Sequence, residues 1–237
     1  MFCSILLFNV LLLGIASCGV LPSDKCKLED SSCMIPAFQK VVPIFMAGIP
    51  EYGVEVLDVM KLDDVKFELA GLKFGLNDGT VKGLKNSIID DVKWDVKNKK
   101  LNVVYHVDCS IKGHYTAAGR VLILPITGDG QMKLKLKNLK IKLILNYDIE
   151  KKDGKDLVKP TSFNYEYEVK DGAHFDFTNL FNGNKELSDA MIIFLNENWK
   201  EITKEFGGPM IEESAKKVFK SIAGFFSKNP IADIAHV

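Results

Sequence analysis

The sequence predicts an α+β fold in which a long, curved antiparallel sheet wraps around a long carboxy-terminal amphipathic helix. Three observations predict it. Across residues 65–177 apolar and polar side chains mostly alternate with period two, the pattern of strands with one wet face. Two of the alternating stretches run far beyond the usual strand length of about five or six residues. From Leu187 onward the apolar spacing changes to three and four, which is the period of a helix.

The chain begins with MFCSILLFNVLLLGIASC, which holds no charged side chain. Its apolar run over residues 5–15 is short of the roughly 18 residues that a membrane anchor needs and ends in small residues, so residues 1–18 are expected to be a secretory signal peptide. Residues 19–237 then form one domain, since about 220 residues suffice for a single large core. With 31 basic and 31 acidic residues the chain has no overall field to draw it to nucleic acid or to an anionic membrane, and no later segment could insert stably in a bilayer.

Of the five cysteines, Cys3 and Cys18 leave with the leader or sit at its edge. Cys26 and Cys33 are close together, and in an oxidising compartment such a pair is expected to form a disulfide; a zinc site would need two further ligands that are not nearby. After Cys33 comes a helical candidate over residues 37–47, interrupted by Pro43. Hairpin turns are expected at Asn77-Asp78-Gly79, Asn98-Lys99, Gly128-Asp129-Gly130 and Lys152-Asp153-Gly154.

The clearest strand spans residues 101–115. Leu101, Val103, Tyr105, Val107, Cys109, Ile111, Gly113 and Tyr115 share one face, and His106, Asp108, Ser110 and His114 share the other. A second long strand covers residues 132–149, where the apolar parity slips between Leu136 and Leu139 and predicts a bulge at Asn138. Leu187, Met191, Leu195, Trp199, Ile202 and Phe206 form a helical stripe; Gly207-Gly208-Pro209 breaks it, and Ile211, Ala215, Val218, Phe219, Ile222 and Phe226 continue it. A sheet wrapped on such a helix encloses an apolar interior, and periodicity alone leaves open whether that interior is packed core or cavity.

Motifs of catalysis are absent from the sequence: there is no Gly-x-Ser-x-Gly elbow, Gly-rich phosphate loop, His-Glu-x-x-His or Cys-x-x-Cys. His106, Asp108, Cys109 and His114 are close in sequence, but strand geometry sends Cys109 to the face opposite the other three. No enzyme activity, metal or cofactor is therefore expected. Lys133, Lys135, Lys137, Lys140 and Lys142 make a basic stripe that could meet an acidic partner or lipid headgroups, though solvent faces commonly carry lysine against aggregation.

Four segments carry a resemblance: the Cys26 and Cys33 pair; Gly113-His114-Tyr115 through Gly119 to Leu124-Pro125-Ile126-Thr127-Gly128-Asp129-Gly130; Phe177-Thr178-Asn179-Leu180-Phe181-Asn182-Gly183-Asn184; and Leu195-Asn196-Glu197-Asn198-Trp199. Together and in this order the chain resembles the takeout and juvenile-hormone-binding proteins of insects. The resemblance implies an elongated fold with an internal hydrophobic tunnel, and a secreted carrier of an isoprenoid, fatty-acid-like or juvenile-hormone-like molecule. The hormone-binding branch has a second disulfide, and Cys109 has no partner for one, so the chain is more similar to takeout. If the interior is a tunnel, ligand contacts are expected from the inner face of the long strand and from the helix: Tyr105, Val107, Cys109, Ile111, Tyr115, Phe177, Met191, Phe194 and Trp199. Tyr165 and Tyr167 offer further hydroxyls to orient a ligand. The competing reading is a secreted interaction or signalling protein with a solid core, acting through its surface.

Overall fold

A computed structural model of the chain describes residues 25–236. The leader expected at residues 1–18 lies outside the described residues. The elements in chain order are β1 (Cys26–Lys27), α1 (Ser31–Ala47), β2 (Met60–Lys61), β3 (Val65–Leu69), β4 (Leu72–Lys82), β5 (Ile88–Asp95), β6 (Lys100–Val121), β7 (Leu124–Lys152), β8 (Lys155–Phe177), α2 (Lys185–Glu197), α3 (Trp199–Phe206), α4 (Gly208–Phe226), α5 (Ile231–Ile234) and β9 (Ala235–His236).

One antiparallel sheet dominates, with the path β2-β4-β6-β7-β8. Strand β6 is long enough to take two partners end to end on one edge: β5 along residues 100–106 and β4 along residues 110–119. Its other edge pairs with β7 from Lys100↔Asn146 to Val121↔Leu124. At 29 residues, β7 has a contour of roughly 90 Å at about 3.3 Å per residue, which makes the sheet elongated.

The parity slip in β7 is a bulge at Asn138, as the sequence predicts. Register passes from Val107↔Leu139 to Cys109↔Leu136, so β7 spends one more residue than β6 across this point. Asn138 takes a φ of 50°, its N–H donates to Asp108 Oδ1 at 2.7 Å, and its side chain donates to Asp171 at 3.0 Å. The bulge keeps apolar residues facing inward on both sides of it: Leu101, Val103, Val107, Cys109, Ile111 and Tyr115 of β6 are buried, as are Leu134, Leu136, Leu139, Leu143 and Leu145 of β7. These and the inner faces of the helices form one contiguous apolar core.

Several expectations need correction. Gly128-Asp129-Gly130 is not a turn; it lies inside β7, and the hairpin reverses at Leu122 and Ile123. Its glycines serve close approach instead: a Cβ on Gly128 would stand 2.3 Å from the Tyr115 hydroxyl, and one on Gly130 2.5 Å from the Thr178 carbonyl oxygen. Asn77-Asp78-Gly79 is likewise a bulge within β4. Helix α1 starts earlier than predicted, capped by Asp30 accepting from the Cys33 N–H at 3.2 Å, and continues through Pro36 and Pro43. Tertiary ties hold it against the sheet: the Gln39 side chain donates to Ser87 O at 3.0 Å and accepts from the Ile89 N–H at 2.8 Å.

The carboxy-terminal helix breaks at the predicted Gly207 and also at Asn198, whose side chain turns back to bond Phe194 O at 2.8 Å. Leu187 is exposed despite its place on the apolar stripe, whereas Met191, Leu195, Ile202 and Phe206 of that stripe are buried.

Candidate functional site

Three spaces open along β6 within the described part of this apolar core. A chamber of about 260 Å³ lies against residues 101–105, a void of about 20 Å³ beside Ile111, and a cavity of about 50 Å³ at Ala117 and Val121. The two smaller spaces share Leu134 and Met210 as walls, and the chamber shares no lining residue with either.

The chamber is built by three parts of the chain. Its floor is the inner face of the sheet, with Ile89, Trp94, Leu101, Val103, Tyr105, Leu143 and Leu145. Its roof is α1, whose Met34, Phe38, Val42 and Phe45 recur at helical spacing on one face. Its end is closed by Phe225 and Phe226 of α4 and by Ile234 and Ala235. Strands β1 and β9 pair in parallel there, Cys26 is bonded to Cys33, and Lys25 Nζ donates to Ala232 O at 2.7 Å, so both ends of the described chain meet beside the chamber.

Polar groups in this wall are few. The Trp94 indole N–H donates to the Tyr147 hydroxyl at 2.7 Å behind the floor, and Ser87 Oγ donates to Leu84 O at 2.6 Å. Burial is the main cause of the raised pKa at Tyr105, with a smaller push from nearby Cys109. At Cys109 burial again leads, lifting the thiol to about 12.

Of the nine ligand-contact residues expected from sequence, only Tyr105 lines the chamber. Ile111 lines the middle void and Phe177 the far cavity. Val107, Cys109, Tyr115 and Met191 are buried in the core, and Phe194 and Trp199 are partly buried against it; none of these six lines the three spaces. The sequence reading missed the roof. Its signal was present in Met34, Phe38, Val41, Val42 and Phe45, but this stripe is a core stripe on any amphipathic helix until its partner surface is known.

The remaining candidates have structural partners. Tyr115 donates to Thr178 O at 2.8 Å, Tyr165 to Gly208 O at 3.2 Å and Tyr167 to Thr203 O at 3.0 Å. On the outer face His106 pairs with Asp90 at 2.8 Å and His114 with Asp129 at 2.7 Å. No group of three or more His, Cys, Asp or Glu converges among the described residues. Lys142 pairs with Glu166 at 2.9 Å, Lys135 and Lys137 are exposed, and Lys133 is half-buried. No helix among the described residues is long and apolar enough to cross a membrane.

Comparison with known proteins gives the following. The model of the haemolymph juvenile hormone binding protein family matches residues 5–236. The crystal structure of Takeout 1 from Epiphyas postvittana superposes with a TM-score of 0.88 at 57% identity, covering 90% of this chain and 99% of that one. The circadian clock-controlled protein daywake of Drosophila melanogaster is 29% identical over 214 residues, 85% of this chain and 82% of its own. A putative beta-carotene-binding protein of Schistocerca gregaria is 24% identical over 127 residues, 51% of this chain and 49% of its own.

Proposed function

Because the chain belongs to the haemolymph juvenile hormone binding protein family, we propose that it is a secreted carrier that holds an apolar small molecule in the chamber between α1 and the sheet. The observation that carries this reading is the chamber itself: about 260 Å³ of space lined mainly by aliphatic and aromatic side chains. A well-packed core leaves few voids larger than a water molecule, and apolar space of this size favours an apolar occupant. The family's name and that of the Schistocerca relative, both naming lipid-like molecules, support the same class of ligand: isoprenoid, fatty-acid-like or hormone-like.

The energetics are sufficient. Each CH₂ moved out of water contributes about 0.8 kcal/mol, so a chain of about twelve gains on the order of 10 kcal/mol before the costs of ordering. Affinity then needs no buried ion pair. Secretion is supported by the leader-like amino terminus and by the Cys26–Cys33 bond, a bond that persists in oxidising compartments. On this reading residues 19–237 act as one lipid-binding domain.

Organic extraction of the purified protein followed by mass spectrometry tests the proposal, together with titration by the neutral dye N-phenyl-1-naphthylamine. Co-extracted lipid, or saturable dye binding that quenches Trp94, is the expected result. A protein that yields no lipid and binds no dye would overturn it and leave the surface-acting interaction protein as the better reading.

A further inference from the structure

We infer that the end of the molecule where the β3–β4 and β6–β7 turns meet is a docking tip for an anionic phospholipid surface, which it enters shallowly and reversibly. The chamber lies at the other end of β6, so this contact is independent of what the chamber holds.

The two ends of the sheet differ in chemistry. At the chamber end the β5–β6 turn is flanked by Asp95, Lys97, Lys99 and Lys100, and the β7–β8 turn by Lys151, Lys152, Asp153, Lys155 and Asp156. Such charges keep exposed hairpins solvated and unpaired. At the opposite end Leu69-Ala70-Gly71-Leu72 and residues 117–128 hold a single charged side chain, Arg120, although charged residues make up 26% of the chain. The β6–β7 hairpin reverses at Leu122 and Ile123; Leu122 and Leu124 are half-buried, and Ile123 is 83% exposed. Leu122 takes a φ of 53°, a conformation that suits glycine or asparagine, so an aliphatic side chain stands at this turn against its local preference.

The two turns are joined into one surface. The Arg120 N–H donates to Gly71 O at 3.0 Å, and a Cβ on Gly119 would stand 2.1 Å from that oxygen, so glycine is what lets the two backbones meet. Exposed Leu69 and Ala70 of one turn therefore share this end of the sheet with Ile123 of the other. Leu72, Val121 and Ile126, their inward-facing neighbours, line the far cavity beneath.

Area and charge select the partner. A stable protein interface takes about 20 to 30 residues a side, and two projecting turns present far fewer. A lipid surface has no such requirement, because headgroups and acyl chains close around whatever protrudes. Ile123 and its leucine neighbours reach toward the acyl boundary, while exposed Arg120 extends its stem back to the phosphates, which accept paired N–H bonds from a guanidinium. The flanking acids do not oppose it, since Glu68 pairs with Lys73 at 3.6 Å and Asp129 with His114 at 2.7 Å. With 31 basic and 31 acidic residues the chain has no net charge to supply a long-range pull, so the contact depends on this tip.

Co-sedimentation of the full secreted chain with sucrose-loaded vesicles tests the inference. The vesicles are phosphatidylcholine alone, or phosphatidylcholine with about one quarter phosphatidylserine to give a negative surface. The double variant Leu122→Gly with Ile123→Ser removes both aliphatic groups and supplies residues that suit a hairpin turn, so its melting temperature should equal or exceed the wild type's. The wild type should bind the anionic vesicles more tightly than the neutral ones. The turn variant should lose roughly 10-fold or more of that affinity, and Arg120→Gln roughly 3- to 10-fold on anionic vesicles alone. N-phenyl-1-naphthylamine binding should be the same in all three proteins. Wild-type protein that fails to bind vesicles, binding that survives both variants, or a loss produced instead by Lys135→Gln with Lys137→Gln on the outer face of β7 would overturn the inference. Concentration-dependent self-association that the turn variant abolishes, without vesicle binding, would also overturn it and make the tip a contact between copies of the chain.

Discussion

Tyr105 and Cys109 share the inner face of β6 with Val107 between them, yet only Tyr105 opens onto the chamber; Cys109 is sealed in the core opposite Leu136. One alternating run of sequence thus divides into a chamber-facing end and a packed middle. Cys109 also adds to the rise that burial causes in the Tyr105 pKa.

Cys109 should react slowly whether or not lipid is bound. Its pKa is pushed from 9.0 to about 12, so at a fixed neutral pH the thiolate population falls on the order of 1000-fold. Because it lies behind Val107, an apolar maleimide should gain little over a charged one. Labelling kinetics of the folded protein against the denatured protein check this; rapid labelling by a charged reagent in the native state would place the thiol at the surface.

Stability should fall in alkali. Cys109, Tyr105 and Tyr115 all have pKa values raised in the folded chain, with burial as the leading cause, and Tyr115 is pushed from 10.0 to about 12. A folded pKa above the unfolded one means that the unfolded chain ionises first. The contribution of each group is therefore complete below its unfolded pKa, near 9.0 for the thiol and 10.0 for the phenols, and is lost as pH climbs toward 12. Urea midpoints measured at pH 8 and pH 11 should show a drop that Cys109→Ala lessens. Equal midpoints would contradict it.

Neighbouring positions on β6 should respond in opposite ways to the same charge. Ile111→Asp buries a carboxylate against Leu134 with no partner and should cost at least about 3 kcal/mol, enough to prevent folding in many proteins. Ser110 lies on the outer face, paired in register with Lys82 of β4 and Lys135 of β7. Ser110→Asp should be neutral or raise the melting temperature slightly. Equal destabilisation at both sites would mean that the inner and outer faces are misassigned.

Reduction of Cys26–Cys33 should cost about 2 to 3 kcal/mol by the chain-entropy estimate for so short a loop. The loss should be local. Cys26 pairs with Ala235 in the β1–β9 contact at the closed end of the chamber, so dye affinity should fall alongside the melting temperature. Hydrogen exchange that stays unchanged at Cys26, Lys27, Ala235 and His236 after reduction would exclude this coupling.

The division between sequence and structure is clearest at particular residues. Alternation along β6 determined which side chains face inward, because a strand places successive residues on opposite faces whatever its neighbours do. The same rule exposed the Asn138 bulge, since an extra residue must shift the parity of everything after it. The close pair Cys26 and Cys33, the break at Gly207 and the family motifs were equally local, and they were legible without coordinates.

What local pattern could not supply was any fact that depends on two distant surfaces meeting. Gly128 and Gly130 read as a turn in one dimension, and only the approach of Tyr115 and Thr178 reveals why a side chain is excluded there. Inward-facing residues were identified correctly on β6, but Val107 and Cys109 meet packed atoms while Tyr105 meets open space. The difference is made by α1, which lies over the Leu101 end of the sheet and holds its phenylalanines off the floor. Sequence determined the apolar lining through periodicity and hydrophobicity, which are properties of one segment; tertiary structure decided where that lining stays unfilled, because empty volume belongs to no residue and arises only from how the elements fit together.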